Sequence, residues 1–130
     1  MTPGKWKNYI LPMETCIFCE IIRKQTTTRI LYEDDSVMAF PDSTPLAPVH
    51  VLIIPKKHIA SVTEVTPQDE LLMGHLILVA KRLAEELGIS RDGYKLLIRA
   101  GSHGGQEVSH LHLHLIGGAP LLEDIRPWGE

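Results

Sequence analysis

Near its C-terminal end the chain alternates histidine with leucine, His110-Leu111-His112-Leu113-His114. Successive strand side chains point to opposite faces, so the three imidazoles share one face and Leu111, Leu113 and Leu115 share the other, toward the core. Alternate residues lie about 6.6 Å apart, which sets the imidazoles in a row. A solvated, histidine-rich face is the plainest reading of such a row. A metal-binding strand is another, because imidazole is a good zinc ligand. The segment just upstream favours phosphate chemistry. Gly101-Ser102-His103-Gly104-Gly105-Gln106 carries glycines that let backbone N–H groups converge on an anion. A neutral imidazole, with an ordinary pKa of about 6.5, can attack phosphorus at physiological pH. The attacking nitrogen must be bare, so the other ring nitrogen should donate to a backbone carbonyl or a similar acceptor.

The chain has two cysteines, Cys16 and Cys19. Their C-x2-C spacing suits structural zinc but supplies only half of a tetrahedral site. In a reducing compartment the pair reads as metal or redox chemistry before it reads as a disulfide.

The elements that must hold these groups are legible from periodicity and punctuation. Ile17, Phe18, Ile21 and Ile22 recur at helical spacing. Arg29 to Glu33 and Val37 to Phe40 read as strands, and Asp34-Asp35-Ser36 between them makes a hairpin candidate. Three prolines between Pro41 and Pro48 demand a rigid loop. His50 to Ile54, Tyr94 to Ile98 and His110 to Ile116 read as three more strands, the last stopped by Gly117-Gly118. The best-marked element is a helix from Pro67 to Leu87. Thr66 is its N-cap, Pro67 its first helical residue, Asp69 the partner in a capping box, and Gly88 its stop. Leu72, Leu76, Val79, Leu83 and Leu87 form the core stripe, with a second apolar set at Met73, Ile77, Ala80 and Ala84. The sum is one α+β domain, a mostly antiparallel five-stranded sheet with one long helix and a short N-terminal helix. Residues 1–15 read as a flexible arm, 16–118 as the domain and 119–130 as a tail.

Composition narrows the partners. With 130 residues, 44% of them hydrophobic and 22% charged, the chain is ordinary globular protein. Its net charge of -3 argues against broad binding to DNA, RNA or anionic membrane, but not against a small nucleotide. No stretch reaches the ~20 apolar residues of a membrane span. Ile10-Leu11-Pro12-Met13 is too short for a signal-peptide core. A cytoplasmic location is expected, and a nuclear one is compatible.

His110-Leu111-His112-Leu113-His114-Leu115-Ile116 resembles the signature of the histidine triad (HIT) superfamily. The likeness runs from about Cys16 to Gly118. Ile17-Phe18-Cys19-Glu20-Ile21-Ile22 resembles the family's opening helix, Ile54-Pro55-Lys56-Lys57-His58 its mid-chain segment, and Gly104-Gly105-Gln106 the loop before the triad. The match is nearest to the histidine-triad nucleotide-binding (HINT) branch. The resemblance implies a purine nucleoside phosphoramidate hydrolase that works through a nucleotidylated histidine. It makes His112 the nucleophile and places His114 on phosphate or leaving-group oxygens. It gives His110 a supporting role and makes His50 the fourth site histidine. Asp42 would hold the ribose hydroxyls, and Ile17, Phe18, Ile21, Phe40 and Leu52 would surround the base, a role they could share with plain core packing. Arg99 and Glu107 depart from the branch, which usually has Asn and Ser there, so the preferred leaving group is open. An ion pair between them would reconcile the two changes. The resemblance also adds His58 and His110 to Cys16 and Cys19 as a closed, structural zinc site. No metal is expected to be required for the chemical step. It further implies a two-fold homodimer through the long helix and the strand from Tyr94 to Ile98, joining two sheets into one of ten strands. The rival functions are dinucleoside polyphosphate hydrolysis, nucleotidyl transfer, and nucleotide-dependent regulation with weak catalysis.

Overall fold

The computed structural model describes residues 16–129. The expected arm, residues 1–15, and the last residue of the expected tail lie outside the described residues. Strand β1 (Tyr32–Glu33) is followed by β2 (Val37–Pro41), β3 (Val49–Pro55), β4 (Tyr94–Ile98) and β5 (Leu113–Gly117). They form one sheet in the order β1-β2-β3-β5-β4, with every neighbouring pair antiparallel. Helix α1 (Ile17–Ile22) opens the described chain, and α2 (Glu70–Glu86) lies between β3 and β4.

Strand alternation builds two different faces. Val37, Ala39, Val51, Ile53, Leu111, Leu113 and Leu115 join Leu76, Val79 and Leu83 of α2 in the larger core. On the other face Met38, Phe40, Leu52 and Ile54 pack with Phe18, Cys19 and Ile21 of α1. Each fully buried large apolar side chain contributes about 1.5–3 kcal/mol. The sheet is therefore clamped between two helices, and the histidines lie on the α1 face.

Five expectations are corrected. β5 begins at Leu113, not His110. Extending the β3–β5 register, in which Ile53 faces Leu113, would set residue 111 against Pro55, which has no N–H to give. Leu111 instead donates to the Ile59 carbonyl at 2.7 Å, and the His110 ring takes the Pro55 carbonyl. The leucines still face the α2 core, so the alternation survives beyond the ladder. β1 is two residues rather than five, because Ile30 leaves the edge to pack with the α1 cluster. The first turn of the long helix is a separate 3-10 turn, Pro67–Asp69, in which the Thr66 N–H donates to Asp69 Oδ2 at 3.0 Å. The second apolar set also divides. Ala80 and Ala84 are fully buried in the core and Met73 packs against it, while Leu71, Ile77 and Leu78 are the exposed apolar residues of α2. Leu87 lies past the helix and is exposed.

Candidate active site

A cavity of about 790 Å³ opens on the α1 face of the sheet. Ile17, Phe18 and Ile21 from α1 make one wall, with Phe40 and Leu52 from β2 and β3. The polar wall holds Asp42, His50, His112 and His114, with Arg99, Gly105 and Glu107 also lining the space. Of the candidate residues only His110, Gln106 and the metal candidates lie outside the lining. Thr26, Thr28, Leu46 and Val108 line it as well and were not singled out from sequence. They come from segments with no strand or helix period, where no pattern marks a wall residue. A second hollow of about 720 Å³, between Ile89, Tyr94, Lys95 and residues 118–123, contains none of the candidates.

The histidine face is not a solvated one. His110, His112 and His114 are only 0%, 6% and 7% exposed. Burial pushes all three rings toward the neutral form, His110 and His114 to about 4. The Phe18 ring sits edge-on to His112 at 5.1 Å and to His110 at 5.8 Å, so α1 is the lid that dries the row.

Hydrogen bonds then decide which nitrogen carries each proton. His112 Nδ1 lies 2.7 Å from the His110 carbonyl, an acceptor only, so Nδ1 carries the hydrogen and Nε2 is bare. That is the arrangement a nucleophilic imidazole needs, and it matches the sequence expectation. The Leu46 N–H donates to His50 Nδ1 at 3.1 Å, which leaves the His50 hydrogen on Nε2. His50 Nε2 in turn lies 2.9 Å from His114 Nδ1 and 3.3 Å from Asp42 Oδ2. Among the described residues His114 Nε2 has no partner. A buried donor left unpaired costs about 1–3 kcal/mol, which a ligand oxygen would recover.

His110 is turned the other way. Its Nε2 donates to the Pro55 carbonyl at 2.8 Å, so Nδ1 is bare. That nitrogen lies 3.1 Å from His58 Nδ1, 3.4 Å from Cys16 Sγ and 3.6 Å from Cys19 Sγ, and Cys19 Sγ is 3.3 Å from His58 Nδ1. The four donor atoms all fall within 4.8 Å of one another. Tetrahedral zinc with these ligands has edges of roughly 3.3–3.8 Å, so the spacing fits a metal ion. The donor chemistry fits as well. Burial, and then the neighbouring Cys16 thiol, push the Cys19 thiol up to about 11, so this sulfur becomes a thiolate ligand only against a cation. Cys16 is also the N-cap of α1, accepting the Cys19 N–H at 3.4 Å. Lys57, just before His58, pairs with Asp69 at 2.7 Å and so ties this corner to the start of α2.

Part of the anion nest expected in the glycine loop is closed by internal hydrogen bonds. The Gln106 N–H donates to the Gly101 carbonyl, the Gly105 N–H to Ser102, and the Gly101 N–H to the Gln106 side chain, so these amides are consumed inside the turn. The Gln106 amide nitrogen donates to the carbonyls of Ala60 and Val108, so Gln106 clamps the loop rather than facing the cavity. A Cβ on Gly104 would sit 2.5 Å from the Ala100 carbonyl oxygen, which explains why glycine stands there. Arg99 and Glu107 form no ion pair with each other among the described residues. Both act separately on His112, the Arg99 charge opposing its protonation and the Glu107 charge favouring it.

The sequence matches the HIT domain family over residues 23–121. It is 48% identical over 108 residues to the purine nucleoside phosphoramidase of Escherichia coli K12, covering 83% of this chain and 91% of that protein. The fold is similar to the HIT family hydrolase of Clostridium thermocellum, with a TM-score of 0.83, 44% identity, and coverage of 87% and 98% of the two chains. It is also similar to the histidine triad nucleotide-binding protein of Candida albicans, with a TM-score of 0.69, 32% identity, and coverage of 86% and 87%.

Proposed function

The chain belongs to the HIT domain family, and from that premise we propose that it hydrolyses purine nucleoside phosphoramidates through a covalent intermediate on His112. The observation that carries this reading is the bare Nε2 of His112, its Nδ1 hydrogen committed to the His110 carbonyl at 2.7 Å, on a side chain that lines the cavity. Support comes from the similarity to the Escherichia coli phosphoramidase. In the first step Nε2 attacks the phosphorus, the P–N bond breaks and the leaving nitrogen takes up a proton. In the second, water attacks the phosphorus, loses a proton, and the P–Nε2 bond breaks to free the nucleoside monophosphate and the neutral ring. Positioned donors on the phosphoryl oxygens supply much of the stabilisation, and His114 Nε2 is one such donor. The apolar wall of Ile17, Phe18, Ile21, Phe40 and Leu52 suits a purine, and Asp42 at the polar end suits ribose hydroxyls. Turnover of an adenosine phosphoramidate, measured beside dinucleoside tri- and tetraphosphates, tests the assignment. Preference for the P–N substrate is the expected result, and preference for a polyphosphate would replace it with the rival reaction.

The metal reading follows the donor set. Cys16, Cys19, His58 and His110 suit zinc in a closed, structural role that pins α1 to the chain entering β5. Elemental analysis of protein purified without added metal should give close to one zinc per chain, and a value near zero would reject it. A homodimer is the further expectation. Among the described residues β4 is an unpaired sheet edge, and Leu71, Ile77 and Leu78 of α2 are 90%, 53% and 63% exposed. A second copy seated on β4 and α2 would cover both features. Sedimentation equilibrium at micromolar concentration should give twice the 14.5 kDa chain mass, and the single mass across that range would refute the dimer. No described helix is long and apolar enough to cross a membrane.

A further inference from the structure

His50 has an orientation that no direct role requires. Its Nδ1 is fixed from behind by the Leu46 N–H, inside the proline-bounded loop between β2 and β3. A charged His50 would place a second hydrogen against that N–H, and burial favours the neutral ring as well. The one remaining hydrogen lies on Nε2, between His114 Nδ1 at 2.9 Å and Asp42 Oδ2 at 3.3 Å. Asp42 itself is held by the Thr44 N–H and hydroxyl on Oδ1, at 2.8 and 3.2 Å. His114 Nδ1 therefore accepts, and a neutral His114 must carry its own hydrogen on Nε2.

We propose that His50, oriented by the Leu46 N–H, is a positioning residue that fixes His114 as the Nε2–H tautomer, so that His114 accepts from His50 at Nδ1 and offers only a donor at Nε2. His112 and His114 then hold complementary nitrogens toward a phosphoryl group, a bare one to attack phosphorus and a hydrogen-bearing one to hold oxygen. The kinetic part of this proposal rests on the phosphoramidase reading, but the proton placement does not.

Long-range nitrogen–proton correlation spectra of the full chain, recorded without substrate, read the tautomers directly. The expected pattern is hydrogen on Nε2 of His50 and His114 and on Nδ1 of His112. Hydrogen on Nδ1 of His114, or a charged His50 at neutral pH, would overturn the proposal whatever substrate is turned over. Variants test the consequence. His50→Leu should lower kcat on an adenosine phosphoramidate by about 30-fold, with KM changed much less, and should release His114 into mixed tautomers. His50→Gln keeps a side-chain N–H donor for His114 Nδ1 and should recover most of the loss along with the single tautomer. Equal loss in both variants with native-like spectra elsewhere, or wild-type kcat in His50→Leu, would contradict it.

Discussion

His110 and His112 stand two residues apart on one face, both nearly without solvent contact, yet they present opposite nitrogens to different surroundings. His110 gives its Nε2 hydrogen to the Pro55 carbonyl and turns a bare Nδ1 toward two sulfurs and His58. His112 gives its Nδ1 hydrogen to the His110 carbonyl and leaves Nε2 bare in the cavity wall. Residue type and burial are the same in the two regions. The difference lies in which backbone carbonyl each ring meets, and that follows from where the β5 ladder stops against Pro55. A repeated residue in a strand-like motif is thus not a repeated environment, because the backbone carbonyl each ring meets decides which nitrogen it leaves bare.

The sharpest way to break the comparison is to remove one ring at a time. His112→Ala should abolish turnover, by about 10⁴-fold or more, while calorimetry still detects nucleotide binding. The Cys16→Ser, Cys19→Ser double variant should do the reverse. It should lose the metal and about 3 kcal/mol or more of unfolding free energy, read by denaturant melts, and lose activity only through loosening of α1. Comparable catalytic loss in both, with stability unchanged, would erase the distinction between the two regions.

Much of this arrangement was legible from sequence, and the failures have physical causes. The alternation of His110, His112 and His114 with leucine fixed the faces correctly, because burial enforces period two even where the hydrogen-bonded ladder has ended. The start of β5 was misplaced because the obstacle, Pro55, lies 58 residues before Leu113 and is adjacent only in the fold. The four-residue donor cluster followed from resemblance rather than spacing, since His58 and Cys19 are 39 residues apart. The glycine loop was legible only in part, because glycines permit converging N–H groups without dictating which of them face outward. Gln106, a single side chain, closed the turn. Leu46 was invisible because its contribution is a backbone N–H, which carries no residue signature.

Acid sharpens the comparison less severely. His114 is held to about 4 by burial, then by His112 and His50, against an ordinary 6.5. Below pH ~6.5 the unfolded chain binds a proton that the folded ring refuses, so stability falls as pH drops from ~6.5 to ~4 and levels off beneath. The loss is on the order of 3 kcal/mol for such a ring. Asp34 has a separate window. Burial raises its carboxyl, but hydrogen bonds from Tyr32, His75 and the Ser36 and Val37 N–H groups outweigh that and hold it well below the usual range. Its contribution is full above pH ~4 and is lost only in stronger acid. Denaturant melts at pH 7, 5 and 3.5 should show the first loss mostly complete before the second begins, and His114→Leu should shrink the first, which the buried His110 and His112 rings share, while leaving the second unchanged. The smallest effects belong to the cavity rim. Arg99→Gln and Glu107→Gln should each change kcat/KM by less than about 10-fold and move it in opposite directions for anionic and cationic leaving groups, as expected for solvent-screened charges.

The central claim is that His112 Nε2 bonds to phosphorus during turnover. The stereochemical course at phosphorus tests it most directly, using an adenosine phosphorothioamidate of known configuration hydrolysed in isotopically labelled water. Two successive displacements, each inverting, predict net retention. Net inversion would mean that water attacks the substrate directly and would contradict the account.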